Sequence, residues 1–124
     1  MKILVTGSSG HLGEALVRTL KTDVIGVDIR PSNFTNNVGS ILDREFVRLS
    51  MKDIDIVLHT ATLHKPHILT RSRQDYVDTN ITGTLNLLEE AISANVQAFI
   101  FTSTTSVFGN AINPNSIIWV TEDV

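Results

Sequence analysis

The sequence contains no cysteine, so disulfides and thiolate metal sites are excluded outright. Long apolar runs are missing too, since nothing approaches the roughly 18 consecutive apolar residues of a membrane span. The opening Met1-Lys2-Ile3-Leu4-Val5 has the charge order of a leader, yet its apolar run stops at Thr6-Gly7, far too short for a signal-peptide core. Charge of one sign is scarce. A formal net charge of −3 over 124 residues gives no electrostatic footing for nucleic acid or an anionic membrane. There is no internal repeat, no low-complexity tract and no interior composition shift that would mark a domain boundary. What is present, 42% hydrophobic and 19% charged residues, is an ordinary globular balance. One soluble domain with one core is expected, cytoplasmic by default.

Periodicity gives the order of elements. Ile3-Leu4-Val5 is a short apolar run ended by Gly7, the pattern of a strand buried on both faces. Leu12, Ala15, Leu16 and Leu20 form a helical stripe from His11 to Leu20. Val24-Ile25-Gly26-Val27 is the next strand, ending at Asp28. Pro31, Ser32, Asn33, Asn36 and Asn37 mark a loop, with a weak strand stub expected at Phe34-Thr35. A short helix is expected from Asp43 to Leu49, a strand from Ile54 to Leu58, and a loop from His59 to Thr70. The longest helical pattern runs from Ser72 to Ala94, with Ile81, Leu85, Leu88 and Ile92 on one stripe. Phe99-Ile100-Phe101 is a further strand, and the segment with Gly109, Asn110, Asn113 and Pro114 reads as irregular. This alternation predicts an α/β fold of Rossmann type, a doubly wound parallel sheet with helices on both faces.

The turn Thr6-Gly7-Ser8-Ser9-Gly10-His11-Leu12-Gly13 stands between the first strand and the first helix. A pyrophosphate needs close backbone approach, free N–H groups and a helix N-terminus aimed at it. Gly7 can make the tight turn, Gly10 admits the phosphates, and Gly13 lets helix and strand pack closely. The strict G-x-G-x-x-G spacing is not met, because Gly7 and Gly10 are three apart. Asp28, 21 residues after Gly7, ends the second strand where an acceptor for adenosine ribose hydroxyls belongs. A carboxylate there repels a 2′-phosphate, so NAD is favoured over NADP, although Arg30 follows two residues later.

Four segments together resemble the extended short-chain dehydrogenases/reductases, specifically the NAD-dependent epimerase/dehydratase group. The turn at 6–13 is similar to that family's T-G-x-x-G-x-[IL]-G. Val57-Leu58-His59-Thr60-Ala61-Thr62 resembles its V-[IL]-H-x-A-A strand end. Asn80-Ile81-Thr82-Gly83-Thr84-Leu85-Asn86-Leu87-Leu88 resembles its N-V-x-G-T-x-N-L-L helix, and Phe101 to Gly109 its F-x-S-S-x-x-V-Y-G strand and turn. The resemblance implies a cofactor site of Gly7, Ser9, Gly10, His11, Leu12, Gly13, Asp28, Ile29, Arg30, Ser40, Ile41, Thr60, Ala61, Thr62, Asn80, Thr102 and Ser103. It implies NAD as cofactor, a nucleotide sugar as substrate, and Thr104 as the catalytic hydroxyl residue. Asn80 would anchor a water and backbone network from mid-helix. Dimerisation in the family uses the long helix.

Three positions depart from the family pattern: Ser40 replaces an acid, Thr62 a small residue and Phe108 the common tyrosine. Hydride transfer in the family also needs a Tyr-x-x-x-Lys pair, whose lysine lowers a phenol pKa that is ordinarily near 10. Tyr76 is the only tyrosine, it precedes Asn80, and position 80 is not lysine. In the family the active tyrosine falls just past the position of Val124. The chain is therefore expected to be the N-terminal part of a longer enzyme, truncated after the fifth strand, with 1–124 an incomplete NAD-binding domain. The rival expectation is a non-catalytic NAD(P)-binding regulator or scaffold.

Other residues read more plainly. His59, His64 and His67 sit together in the expected loop without a carboxylate partner, so no metal site is expected, and His64 is placed toward substrate. His11 is expected to be exposed, Asp53 and Asp55 solvated, Glu89 and Glu90 on a wet helix face, Trp119 packed, and Asp43 a helix cap.

Overall fold

A computed structural model describes residues 1–104 of the chain. Its elements in order are β1 (Lys2–Thr6), α1 (His11–Thr19), β2 (Asp23–Asp28), β3 (Asn37–Val38), α2 (Arg44–Ser50) and β4 (Ile56–His59). A 3-10 turn (Lys65–His67) follows, then α3 (Arg73–Val77), a π-helical turn (Asp78–Gly83), α4 (Thr84–Ser93) and β5 (Ala98–Phe101). The strands form one parallel sheet in the order β3-β2-β1-β4-β5. The chain therefore changes winding direction between β1 and β4, where ligands settle in open α/β sheets.

Alternation along the strands divides the core. Leu4 pairs with Ile25 and Val57, and Val57 with Phe99. These face the cluster built from Ile41, Val47 and Met51 around α2 and Leu87 and Ala91 on α4. Ile3 and Val5, at most 4% exposed, point to the opposite face, where α1 lies across β1 and β2. Burial on both faces is why β1 reads as an unbroken apolar run.

Local chemistry sets the helix ends. Asp43 caps α2 as expected, its carboxylate accepting from the N–H groups of Glu45 and Phe46. Ser72 and Asp75 form a reciprocal capping box on α3. Among the described residues no helix is long and apolar enough to cross a membrane.

Four expectations need correction. The short edge strand is Asn37–Val38, not Phe34-Thr35. It is pinned by backbone bonds from Asn36 N to Gly26 O and Gly39 N to Asp28 O, which no apolar pattern signals. The strand expected at Ile54 to Leu58 lies two residues inward at its start and runs one further, to His59. His59 accordingly leaves the loop and becomes the buried last residue of β4. Glu90 is not on a wet face: it is 8% exposed, and its carboxylate takes a 2.7 Å bond from Arg44 Nε of α2 while Arg44 Nη1 holds Glu89. The stripe Ile81, Leu85, Leu88 and Ile92 is solvent-exposed, and Leu87, Glu90 and Ala91 face inward.

Candidate functional site

At the C-terminal end of β1 the chain turns at Gly7, whose φ of +73° suits glycine alone. Gly7 N and Ser8 N both donate to Val27 O of β2, and Gly10 N returns to Gly7 O. Gly10 is the N-cap of α1 and brings no side-chain cap, so the first N–H groups of the nine-residue helix face the turn without one. Gly13 is needed for proximity, because a Cβ there would overlap the Gly7 carbonyl. A Cβ on Gly7 would stand 2.8 Å from Ala61 N, so this turn also rests directly on the peptide that follows β4. Gly10 is looser, its nearest conflict being Gly7 O at 3.1 Å. His11 and Leu12 are exposed beside it, His11 as expected.

Asp28 ends β2 facing this turn. Its carboxylate accepts from Ser9 N at 3.0 Å and from Arg30 N at 2.9 Å. An ionised carboxylate offers about four acceptor positions, so two further donors can be taken. Ile29 and Arg30 are exposed beyond it. The loop after β2 is knotted to the turn by hydroxyls. Ser9 Oγ donates to Arg30 O at 2.7 Å, and Thr35 Oγ1 lies 2.8 Å from Ser8 Oγ, 2.9 Å from Ser9 Oγ and 3.0 Å from Ser32 Oγ. Gly26 permits this closure, since a Cβ there would collide with Phe34 O and the Ser8 side chain. Sequence reasoning passed over Gly26, although an isolated glycine inside a strand is itself a signal of close backbone approach.

The end of β4 forms the opposite wall. Thr6 Oγ1 accepts from Thr60 N at 3.2 Å and Ala61 N at 3.3 Å, which occupies its lone pairs. Its proton therefore goes to His59 Nδ1, 2.7 Å away. That leaves His59 Nε2 as the protonated nitrogen, donating to Thr84 Oγ1 of α4 at 3.0 Å. The ring is fully buried and tilted against Phe99 and Phe101, and burial pushes its pKa down to about 4. It is thus a neutral imidazole, bonded to Thr6 and Thr84 and not to His64 or His67. Those two rings meet edge to face at 4.7 Å, with His64 N donating to His67 Nδ1. No group of three or more metal-ligating side chains occurs among the described residues.

Asn80 sits in the π-helical turn and clamps the loop after β4, bonding Leu63 N and Leu63 O, both at 2.8 Å. Thr62 N turns back to Thr60 O. Tyr76 donates its hydroxyl to His64 O, so the lone tyrosine braces the same loop. Ser40 Oγ accepts from Leu42 N, and Ile41 belongs to the core, packed on Gly83. Thr102, Ser103 and Thr104 are exposed at the end of β5, where Thr102 N bonds His59 O. Phe108, Gly109 and Trp119 lie outside the described residues.

Turn, carboxylate and wall thus converge at the C-terminal ends of β1, β2 and β4. Comparison with known proteins points the same way. The family model described as the NAD dependent epimerase/dehydratase family matches residues 3–121. A UDP-glucose 4-epimerase of Erwinia amylovora is 36% identical over 129 aligned residues, covering 88% of this chain and 38% of that protein. A short-chain dehydrogenase/reductase superfamily protein from Agrobacterium tumefaciens, solved with bound NAD, superimposes with a TM-score of 0.82 at 31% identity over 99% of this chain and 38% of its own. MoeE5 in complex with UDP-glucose and NAD does so with a TM-score of 0.78 at 28% identity, over 88% of this chain and 38% of its own. The chain thus spans little more than a third of the length of these relatives.

Proposed function

The chain belongs to the NAD dependent epimerase/dehydratase family, and on that premise we propose that it is the NAD-binding portion of a longer enzyme acting on a nucleotide sugar. The observation that carries the reading is the Asp28 carboxylate bonded to the Ser9 N–H, which brings a ribose acceptor and a phosphate turn into one cleft. The cleft fits the dinucleotide. Beside Gly10 a Cβ would meet only Gly7 O, which leaves space next to the turn, α1 opens toward it without a side-chain cap, and Asp28 keeps acceptor capacity.

Each part then has a role. Ser9, Gly10, His11, Leu12 and Gly13 take the pyrophosphate, and Asp28 with Ile29 and Arg30 takes the adenosine ribose. Ser40 and Ile41 belong to the adenine side, while Thr60, Ala61, Thr62 and Asn80 form the wall with Thr102 and Ser103. When bound, NAD supplies a reversible hydride acceptor. The Thr104 hydroxyl orients the substrate oxygen whose proton is exchanged. The nucleotide-sugar class is supported by the UDP-glucose 4-epimerase relative and by the MoeE5 complex. A homodimer is supported by the exposed apolar stripe of Ile81, Leu85, Leu88 and Ile92.

The test is titration of the full-length protein with NAD and NADP, followed by assay on UDP-glucose. NAD binding with weaker NADP binding is expected, and Asp28→Ala should narrow that preference. Equal NAD and NADP binding in the wild type would overturn the ribose assignment. NAD binding without turnover of any nucleotide sugar would favour the regulator.

A further inference from the structure

We infer that His59 is a positioning residue for the cofactor cleft: through the Thr6 hydroxyl it holds the Thr60–Ala61 peptide against Gly7, fixing the spacing between wall and phosphate turn. The inference rests on the NAD-binding reading above. Simple core filling does not account for an imidazole at this place. Between Phe99 and Phe101 an apolar side chain would cost less to bury, because a polar ring with no water contact must recover its desolvation through hydrogen bonds. His59 has two such bonds, and they lead in different directions.

The Nδ1 bond leads to the cleft. Thr6, also fully buried, spends its acceptor capacity on Thr60 N and Ala61 N, so its proton requires an acceptor, and His59 Nδ1 fills that need. Without that acceptor the hydroxyl must rotate to donate elsewhere and release one of the two N–H groups. Thr60 N has a second acceptor in Thr6 O at 3.3 Å, which leaves Ala61 N as the group at stake. That nitrogen is the atom a Gly7 Cβ would meet first, so its position sets the width of the gap beside the turn. The Nε2 bond leads away from the cleft, to Thr84 on α4. One residue therefore carries a cleft-facing bond and a purely structural one, and the two can be separated.

The experiment is calorimetric titration of the full-length protein with NAD, with thermal melting alongside, for His59→Leu, His59→Asn and Thr84→Val. Both His59 variants and Thr84→Val lose the Thr84 bond and should melt earlier. His59→Leu should bind NAD about tenfold more weakly, the size of one lost buried hydrogen bond. His59→Asn keeps a δ1 acceptor for Thr6 and should recover to within about threefold of wild type. Thr84→Val should bind as wild type. Should His59→Leu fail to fold, Thr6→Val against Thr6→Ser repeats the comparison one atom along, with only the valine weakened. Affinities that follow melting temperature across the set, or do not change at all, overturn the positioning role. A wild-type protein that binds no NAD overturns the proposed function itself, which is a different result.

Discussion

Acid should destabilise this domain through His59 before it reaches the carboxylates. The ring is 0% exposed, and burial alone lowers its pKa from 6.5 to about 4. In the unfolded chain the ring takes up a proton near pH 6.5, whereas in the folded protein it resists until near pH 4. The unfolded state therefore binds more protons throughout that window, and stability falls as pH falls through it. At about 1.4 kcal/mol per pH unit the full loss is about 3 kcal/mol, a sizeable share of the ~5–15 kcal/mol that holds a domain together. Urea unfolding at half-unit steps from pH 7.5 to pH 5 should show a slope that steepens toward about 1.4 kcal/mol per pH unit below pH 6. The two carboxylates with depressed pKa values, exposed Glu45 beside Arg48 and half-buried Asp75 in its capping box, lose their contributions only as the pH falls further. His59→Leu serves as the reference for the slope: it starts from a lower stability, because it loses the bonds to Thr6 and Thr84, but it removes the titration. If wild type and His59→Leu lose stability in parallel between pH 6.5 and pH 5, the buried neutral imidazole is not what governs the acid limb.

Three further outcomes follow from contacts described above. Gly13→Ala should cost the folded state several times more than Gly10→Ala, since only the first Cβ overlaps backbone it cannot displace; equal melting temperatures would contradict this packing. Arg44→Met strands the buried Glu90 carboxylate and should lower the melting point, and adding Glu90→Leu should recover most of the loss. A double variant as unstable as the single one would show that the pair is more than mutual neutralisation. On the proposed function, Thr104→Ala in the full-length protein should depress turnover and leave NAD affinity within about twofold; unchanged turnover would remove Thr104 from the proposed catalytic role.

The central strands β1 and β2 and the glycine turn between strand and helix were legible because both follow from short-range rules. Ile3-Leu4-Val5 must be buried on both faces, and three spaced glycines between a strand and a helix have few other uses. Long-range effects hid the rest. Periodicity shows that Ile81, Leu85, Leu88 and Ile92 share a stripe, but it does not show which way that stripe faces. The π-helical turn at Asp78–Gly83 adds a residue to the helical repeat, so that Asn80 reaches Leu63 while Leu87 and Ala91 reach the core. His59 was grouped with His64 and His67 by nearness in sequence. Its true partners, Thr6 and Thr84, lie 53 and 25 residues away. Glu90 likewise looks like an exposed helix charge until Arg44, from an earlier helix, is placed beside it. At the site, Asp28 was legible as an acceptor, whereas its prior engagement with Ser9 and Arg30 was not.

The sheet order also governs the time at which the cleft comes into being. β1 is made first yet occupies the centre of the described sheet, so one edge waits for β2 and the other for β4. Lys2 meets Asp23 after 21 residues, but Ile3 meets Ile56 only after 53. At about 5–20 residues per second that second edge stays open for roughly 3–10 s of synthesis. During this interval the β1-α1-β2 unit already has its glycine turn and Asp28, but nothing yet supports Gly7 from the far side. The support arrives with Thr60 and Ala61, on the strand that closes the gap. A nascent chain released before β4 docks would expose its most apolar strand as an open edge and hold only half a cofactor cleft.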